Sequence, residues 1–324
     1  MKRWWLFFTV GAVLLGCSPK KTEIVIGISK IVAHPALDAV EQGIKDELTE
    51  QNLPVTFDVQ NANGDLNTAA AIANKFKSDK VALAVGIATP TAQALVNTLK
   101  TTPVVFSAVT DPVKAGLVTS LARGEKNVCG VSDMTPVKEQ IQFFRKLKPI
   151  KRLGIIYTSS EANAVALADL TKAVCKELGI EVVETTVANS AEVKQAAQAI
   201  VDKVDGIYIS TDNTVVSALS SVTSVAMAKK VPVMTADPTS ATNADVLVAW
   251  GFDYYKMGRA TGRMIADVLR GQKPSEIPVK FMTDPQDITL FINEDIAKQL
   301  GIQIPTEIIS QASILVQNGK VITK

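Results

Sequence analysis

The chain lacks most of what catalytic and metal-dependent proteins carry. It has one histidine, His34, and three cysteines in 324 residues. A single imidazole with no serine or cysteine nucleophile motif beside it builds no triad, and the carboxylates show no acid/base pairing pattern. Three Cys and one His make no convincing zinc site. Gly27 and Gly86 fall in Val/Ile-rich runs, but neither opens a G-x-G-x-x-G motif or a phosphate loop. Aromatic residues make up only 5% of the chain, which leaves few platforms of the kind sugar sites use. There is no basic block, and 34 Lys+Arg against 32 Asp+Glu give a formal charge of +2, so nothing marks a nucleic-acid surface. No cofactor and no metal are expected.

The longest apolar run is short by membrane standards. Trp4 to Leu15 follows Lys2-Arg3 and ends in Leu14-Leu15-Gly16-Cys17. Such a run is too short for a stable spanning helix and suits the h-region of a signal peptide. A small residue before Cys at its end is the cleavage pattern of lipoprotein signal peptidase. Residues 1–16 therefore read as a lipoprotein signal peptide, Cys17 as the lipidated, palmitate-bearing residue, and 17–21 as a polar tether; an ordinary secretory signal with an incidental Cys is the plainer alternative. The expected location is extracytoplasmic, on a bacterial membrane. Cys129 and Cys175 lie in opposite halves and read as buried free thiols rather than as a disulfide.

Beyond the tether, Val/Ile-rich runs alternate with Ala-rich segments of helical spacing. Ile24-Val25-Ile26-Gly27-Ile28, Val104-Val105-Phe106 and Gly206-Ile207-Tyr208-Ile209 are examples of the runs. Continuous apolar strands between amphipathic helices imply parallel sheets covered on both faces. The same order of events occurs twice. Asn61 to Asp65, a helix with Ala69-Ala70-Ala71-Ile72, a strand, Thr89-Pro90-Thr91, a helix through Ala94-Leu95, Pro103-Val104-Val105 and Asp111-Pro112 form the first series. Ala188 to Glu192, a helix with Ala196-Ala197, a strand, Thr211 to Thr214, a helix through Ala218-Leu219, Pro232-Val233-Met234 and Asp237-Pro238 form the second. The mature chain also exceeds the size of a single core. Two α/β lobes, each a doubly wound parallel sheet, are expected, with a cleft beyond the C-terminal ends of the strands.

The residues at those strand ends are small, polar and hydrogen-bonding. His34-Pro35-Ala36-Leu37-Asp38-Ala39, Gln60 to Asp65, Ala88 to Gln93 and Phe106 to Pro112 resemble one family of ABC-importer substrate-binding lipoproteins. So do Val131 to Val137, Tyr157 to Asn163, Thr211 to Thr214 and Asp253-Tyr254-Tyr255. The family includes members that bind tryptophan and other aromatic amino acids. The resemblance implies a periplasmic-binding-protein type I fold whose chain crosses between lobes three times, near 133–136, 253–255 and 283–287. Lobe 1 would then hold 22–134 plus 255–282, and lobe 2 would hold 135–254 plus 283–324. It also implies an ABC permease and ATPase as partners, hinge closure on a small molecule, and a monomer.

An amino acid presents a carboxylate, an ammonium and a side chain. Helix N-termini with hydroxyls suit the carboxylate; Thr89 and Thr91 offer one set, and Thr158, Ser159 and Ser160 offer another. No Arg lies in the predicted strand-end loops to clamp it instead. Asp111, Asp212 and Asp237 are candidates for the ammonium, since a carboxylate in a closed cleft needs a cation. Ser29, His34, Ser107, Asn163 and Asn213 complete the candidate ligand set. Each of these residues also fits an ordinary helix cap or turn. Phe106, Tyr157, Tyr208 and Trp250 are the aromatics near strand ends, with core packing as the commoner fate. A sugar or nucleoside is the alternative solute, and a sensing partner of a membrane receptor the alternative role; an exported enzyme fits poorly.

Overall fold

The computed structural model describes residues 24–324, so Cys17 and the proposed signal peptide and tether lie outside the described residues. Strand and helix alternate through β1 (Ile24–Lys30), α1 (Pro35–Glu50), β2 (Val55–Asn61), α2 (Leu66–Asp79), β3 (Leu83–Ile87), α3 (Thr89–Thr98), β4 (Val104–Val109) and β5 (Val128–Ser132). The second series runs α4 (Val137–Leu147), β6 (Arg152–Thr158), α5 (Ala162–Leu178), β7 (Glu181–Val187), α6 (Val193–Ile200), β8 (Gly206–Ile209), α7 (Asn213–Ser217), α8 (Leu219–Ala228), β9 (Val233–Thr235), α9 (Pro238–Ala241) and β10 (Val248–Phe252). The remainder is α10 (Tyr254–Leu269), β11 (Lys280–Phe281), β12 (Ile288–Asn293), α11 (Glu294–Leu300), α12 (Thr306–Gln311), β13 (Ile314–Gln317) and β14 (Lys320–Thr323).

Two sheets result. The first has the order β2-β1-β3-β4-β5-β11 and the second β7-β6-β8-β9-β10-β12-β13-β14. The first five strands of each follow one order, second-first-third-fourth-fifth, so the repeated sequence pattern is a repeat in space. Every residue of β3, β4 and β5 is buried, which is why these strands read as unbroken apolar runs.

Two features depart from the sequence reading. The second sheet is not wholly parallel: β12 runs antiparallel to β10, and β14 to β13. β10 leaves this sheet at the end where β12 re-enters it, with Phe252 opposite Ile288, so the pair must run in opposite directions. The helix expected through Ala218-Leu219 is two helices, broken at Ala218 (φ −119°, ψ 25°). Its first turn is held by hydrogen bonds from Val215 N–H to Asp212 and from Thr214 N–H to Glu161.

The chain passes between the sheets after β5, after β10 and after β11. α10 returns across to pack against α1 and against β4 and β5. Glycines let the helices approach closely. A Cβ on Gly43 would lie 2.3 Å from the Tyr255 carbonyl oxygen, and one on Gly258 would lie 2.3 Å from that of Val40. Ser107 and Thr261 hydroxyls, 2.7 Å apart, join β4 to α10. One core fills the first lobe and includes Cys129. Two others lie on opposite faces of the second sheet, with Tyr208 on one side and Ile207 and Ile209 on the other. Cys175 belongs to the first of these. Both thiols are free, and burial pushes Cys129 up to about 12 and Cys175 up to about 11.

Candidate ligand site between the lobes

In both sheets the strand order reverses between the first and third strands, β1/β3 and β6/β8. The crevice outside the C-terminal ends of strands at such a reversal is where open α/β sheets bind ligands. Here the two crevices face each other. His34 and Leu37 follow β1; Thr211, Asp212, Asn213 and Val216 follow β8; Asp237 follows β9. With Asp133 and Tyr254 from two of the crossings, they line one cavity of about 10 Å³, barely what a water needs. The lobes touch beside it, where the Thr110 and Thr211 hydroxyls are 3.5 Å apart.

The cavity is acidic. Asp133, Asp212 and Asp237 line it, and no lysine or arginine does. Lys30, at the end of β1, is already paired with Asp38 and with Glu41 at 2.8 Å. Asp133 accepts from Thr110 Oγ1 at 3.1 Å and from the Tyr254 hydroxyl at 3.2 Å, and burial pushes its pKa up to about 6. Asp212 accepts from Thr158 N (2.6 Å), Thr158 Oγ1 (2.8 Å) and Val215 N (2.9 Å). Burial, then the nearby Glu161 carboxylate, raises its pKa. Glu161 accepts from Asn213 Nδ2 at 2.5 Å and Thr214 Oγ1 at 2.7 Å. Burial lowers the pKa of His34, against the opposing pull of Asp237, Asp38 and Glu161, so the ring is neutral near pH 7.

Hydrogen-bond accounting separates working groups from satisfied ones. Buried polar side chains nearly always find partners. Among the described residues, the buried side-chain atoms without one include Ser29 Oγ, both His34 ring nitrogens, Thr89 Oγ1, Asn163 Oδ1, Asp237 Oδ2 and Ser240 Oγ. All six residues sit at or just beyond C-terminal strand ends, three in each lobe. Ser29 is the last residue but one of β1, and Thr89 opens α3 after Ala88, whose φ of 78° is strained for a residue with a Cβ. The side chain of His34 makes no cap bond to α1.

The other candidates are occupied or outside. The Thr91 hydroxyl donates back to the Ile87 and Ala88 carbonyls at 2.7 and 3.1 Å. Ser107 is held by Thr261, Thr158 by Asp212, and Asn213 by Glu161. Asn163 donates to the Thr211 carbonyl at 3.1 Å, leaving its oxygen unpartnered. Ser159 and Ser160 are exposed. Asp111 is apart from the cavity and caps its own turn at Lys114 N, 3.0 Å away. Of the aromatics, Phe106 and Tyr208 are buried, and Trp250 packs on Phe143 with ring centroids 5.7 Å apart. Tyr157 lies under Lys172. None of these four lines the cavity; Tyr254 does. Glu161, Asp133 and Tyr254 were not singled out as site residues from the sequence. A carboxylate in the loop after β6, between Thr158 and Asn163, was the available signal for Glu161.

Two similar lobes closed over a small polar cavity at their strand-order reversals define a solute-binding protein of the periplasmic type I fold. The profile of the family described as ABC transporter substrate binding protein matches residues 25–316, and the chain belongs to that family. A relative named "Tyrosine-binding protein" from Clostridioides difficile is 38% identical over 311 residues, covering 90% of this chain and 89% of that one. A solved structure of an ABC domain in complex with L-Trp from Streptococcus pneumonia is 33% identical, covers 91% of this chain and 100% of that one, and superposes with a TM-score of 0.86. A ligand-free, open structure of a substrate-binding protein with adhesive properties from Clostridium difficile is 36% identical, with coverage of 87% and 96%, but has a TM-score of only 0.65.

Proposed function

We propose that this ABC substrate-binding protein closes on a free aromatic amino acid, tyrosine or tryptophan foremost, and delivers it to an importer's permease and ATPase. The observation that carries the reading is the set of unpartnered buried polar atoms at facing strand ends around a cavity that three carboxylates line and no lysine or arginine does. A cavity of that charge calls for a cation, and the ligand's ammonium is one. On lobe 1, Ser29 and Thr89 with the N-terminus of α3 suit a carboxylate. The names of the similar proteins support the aromatic class. The site holds its ligand by hydrogen bonds, without chemistry on it. We further infer that residues 1–16 are a signal peptide and that Cys17 carries the lipid that tethers the protein outside the cytoplasm. Among the described residues no helix is long and apolar enough to cross a membrane.

The test is thermal unfolding of refolded, ligand-stripped protein against all amino acids, sugars and nucleosides. A ligand at a thousand times its dissociation constant adds about 4 kcal/mol. The expected shift is with tyrosine, tryptophan or phenylalanine. A shift confined to a sugar or nucleoside would overturn the amino-acid reading and keep the transport role.

A further inference from the structure

Of the nine residues that line the interlobe cavity, most are apolar or have their buried polar side-chain atoms already hydrogen-bonded. Asp133 and Asp212 accept on both oxygens. Asn213 and Tyr254 donate to Glu161 and Asp133. Leu37 and Val216 are apolar. Two lining residues keep buried polar atoms with no partner: His34, at both ring nitrogens, and Asp237, at Oδ2. They come from opposite lobes. His34 stands between β1 and α1, and Asp237 between β9 and α9.

Their backbones are fixed independently. Asp237 uses its other oxygen to cap α9 at Ser240 N, 3.0 Å away, which holds the carboxylate in place. His34 precedes Pro35, the first residue of α1, with extended backbone. Asp237 is thus held from within its own lobe, and the His34 ring nitrogens face the cavity with no hydrogen-bond partner.

We infer that His34 and Asp237 together form a clamp for the ligand's ammonium group, and that bridging them is what drives the lobes shut. This deepens the amino-acid reading above and rests on it. An ammonium has three donors. A carboxylate oxygen and the lone pair of a neutral imidazole are two acceptors for it, one on each lobe. A solute that engages lobe 1 alone leaves Asp237 buried without a cation on closing, and burial of an unpaired carboxylate is strongly disfavoured. The amino group thus selects the closed state, because it interacts with that state and far less with the open one.

The experiment compares L-tyrosine with its deamino analogue, 3-(4-hydroxyphenyl)propionate, on the full mature chain. Affinity is read by calorimetry and closure by small-angle X-ray scattering. The wild type is expected to close with tyrosine. With the analogue it should bind at least about 100-fold more weakly and keep the open radius of gyration, since a charged hydrogen-bond partner is removed. D237N, which retains an N-cap side chain, and H34L are each expected to weaken tyrosine by about 10- to 100-fold and to shrink the tyrosine-to-analogue ratio towards one. A fold defect would weaken both ligands and keep the ratio. Closure of the wild type by the analogue, or an unchanged ratio in both variants, would overturn the clamp. Absence of any binding of tyrosine, tryptophan and phenylalanine to the wild type would instead overturn the amino-acid reading on which it rests.

Discussion

The Tyr254 hydroxyl donates to Asp133 Oδ2 across 3.2 Å, and so ties the second passage of the chain between lobes to the first. A backbone bond from Asp253 N to Asp287 O, 2.8 Å, ties the second to the third. The polypeptide connections are thus cross-linked, the first link by two residues that line the cavity. Burial holds Asp133 at about 6, above its ordinary value, so the native state retains a proton that the unfolded state has lost between about pH 4 and 6. The contribution of Asp133 to stability therefore falls as pH rises through that window. Asp133→Asn removes this dependence. Relative to wild type, the variant should gain up to about 3 kcal/mol between pH 4 and 7 in urea unfolding of ligand-free protein. A constant difference across that range would refute the assignment.

Thr89 and Ser29 carry buried hydroxyls with no partner. Such groups weaken the ligand-free fold. Thr89→Val and Ser29→Ala should leave unfolding free energy unchanged or raised by about 1 kcal/mol, while lowering ligand affinity by about 10-fold. Calorimetry and denaturation on the same preparations read both sides of the exchange.

Asp212 presents the reverse case. Its carboxylate serves the N–H groups of Thr158 and Val215 and the Thr158 hydroxyl, all buried. Asp212→Ala strands them and should cost about 3 kcal/mol with or without ligand. Asp212→Asn, which keeps one acceptor, should cost clearly less.

The α1–α10 contact leaves no room for a Cβ at Gly43 or Gly258. Gly258→Ala places a methyl 2.3 Å from the Val40 carbonyl, and Gly43→Ala does the same to that of Tyr255. Each should destabilise by on the order of 2 kcal/mol, seen as a lowered melting temperature.

The fold was legible because its cause is periodic. Buried parallel strands must be apolar throughout, and β3 and β4 announce themselves; the second series repeats the first in order. β12 to β14 were not read as strands, because their direction depends on where the chain re-enters the lobe, a property of the whole path. The cleft was legible as a zone and not as a set of contacts. Thr91, Ser107 and Asp111 have the same residue types and the same placement as Thr89, Ser29 and Asp237. What separates them is whether a buried polar atom is left without a partner, and the neighbours that decide it include Thr261, 154 residues from Ser107. Gly43 and Gly258 likewise look like ordinary helix-weakening residues until the second helix is laid against the first.

Each lobe carries one free, buried cysteine, Cys129 in the first and Cys175 in the second. In a protein with Cys17 replaced, neither thiol should react with a thiol reagent until its own lobe opens. The chain therefore contains two separate chronometers of local unfolding. Mass spectrometry of the two labelled peptides, over time in mild denaturant, would tell which half of the molecule gives way first and whether a bound solute makes the halves fail together.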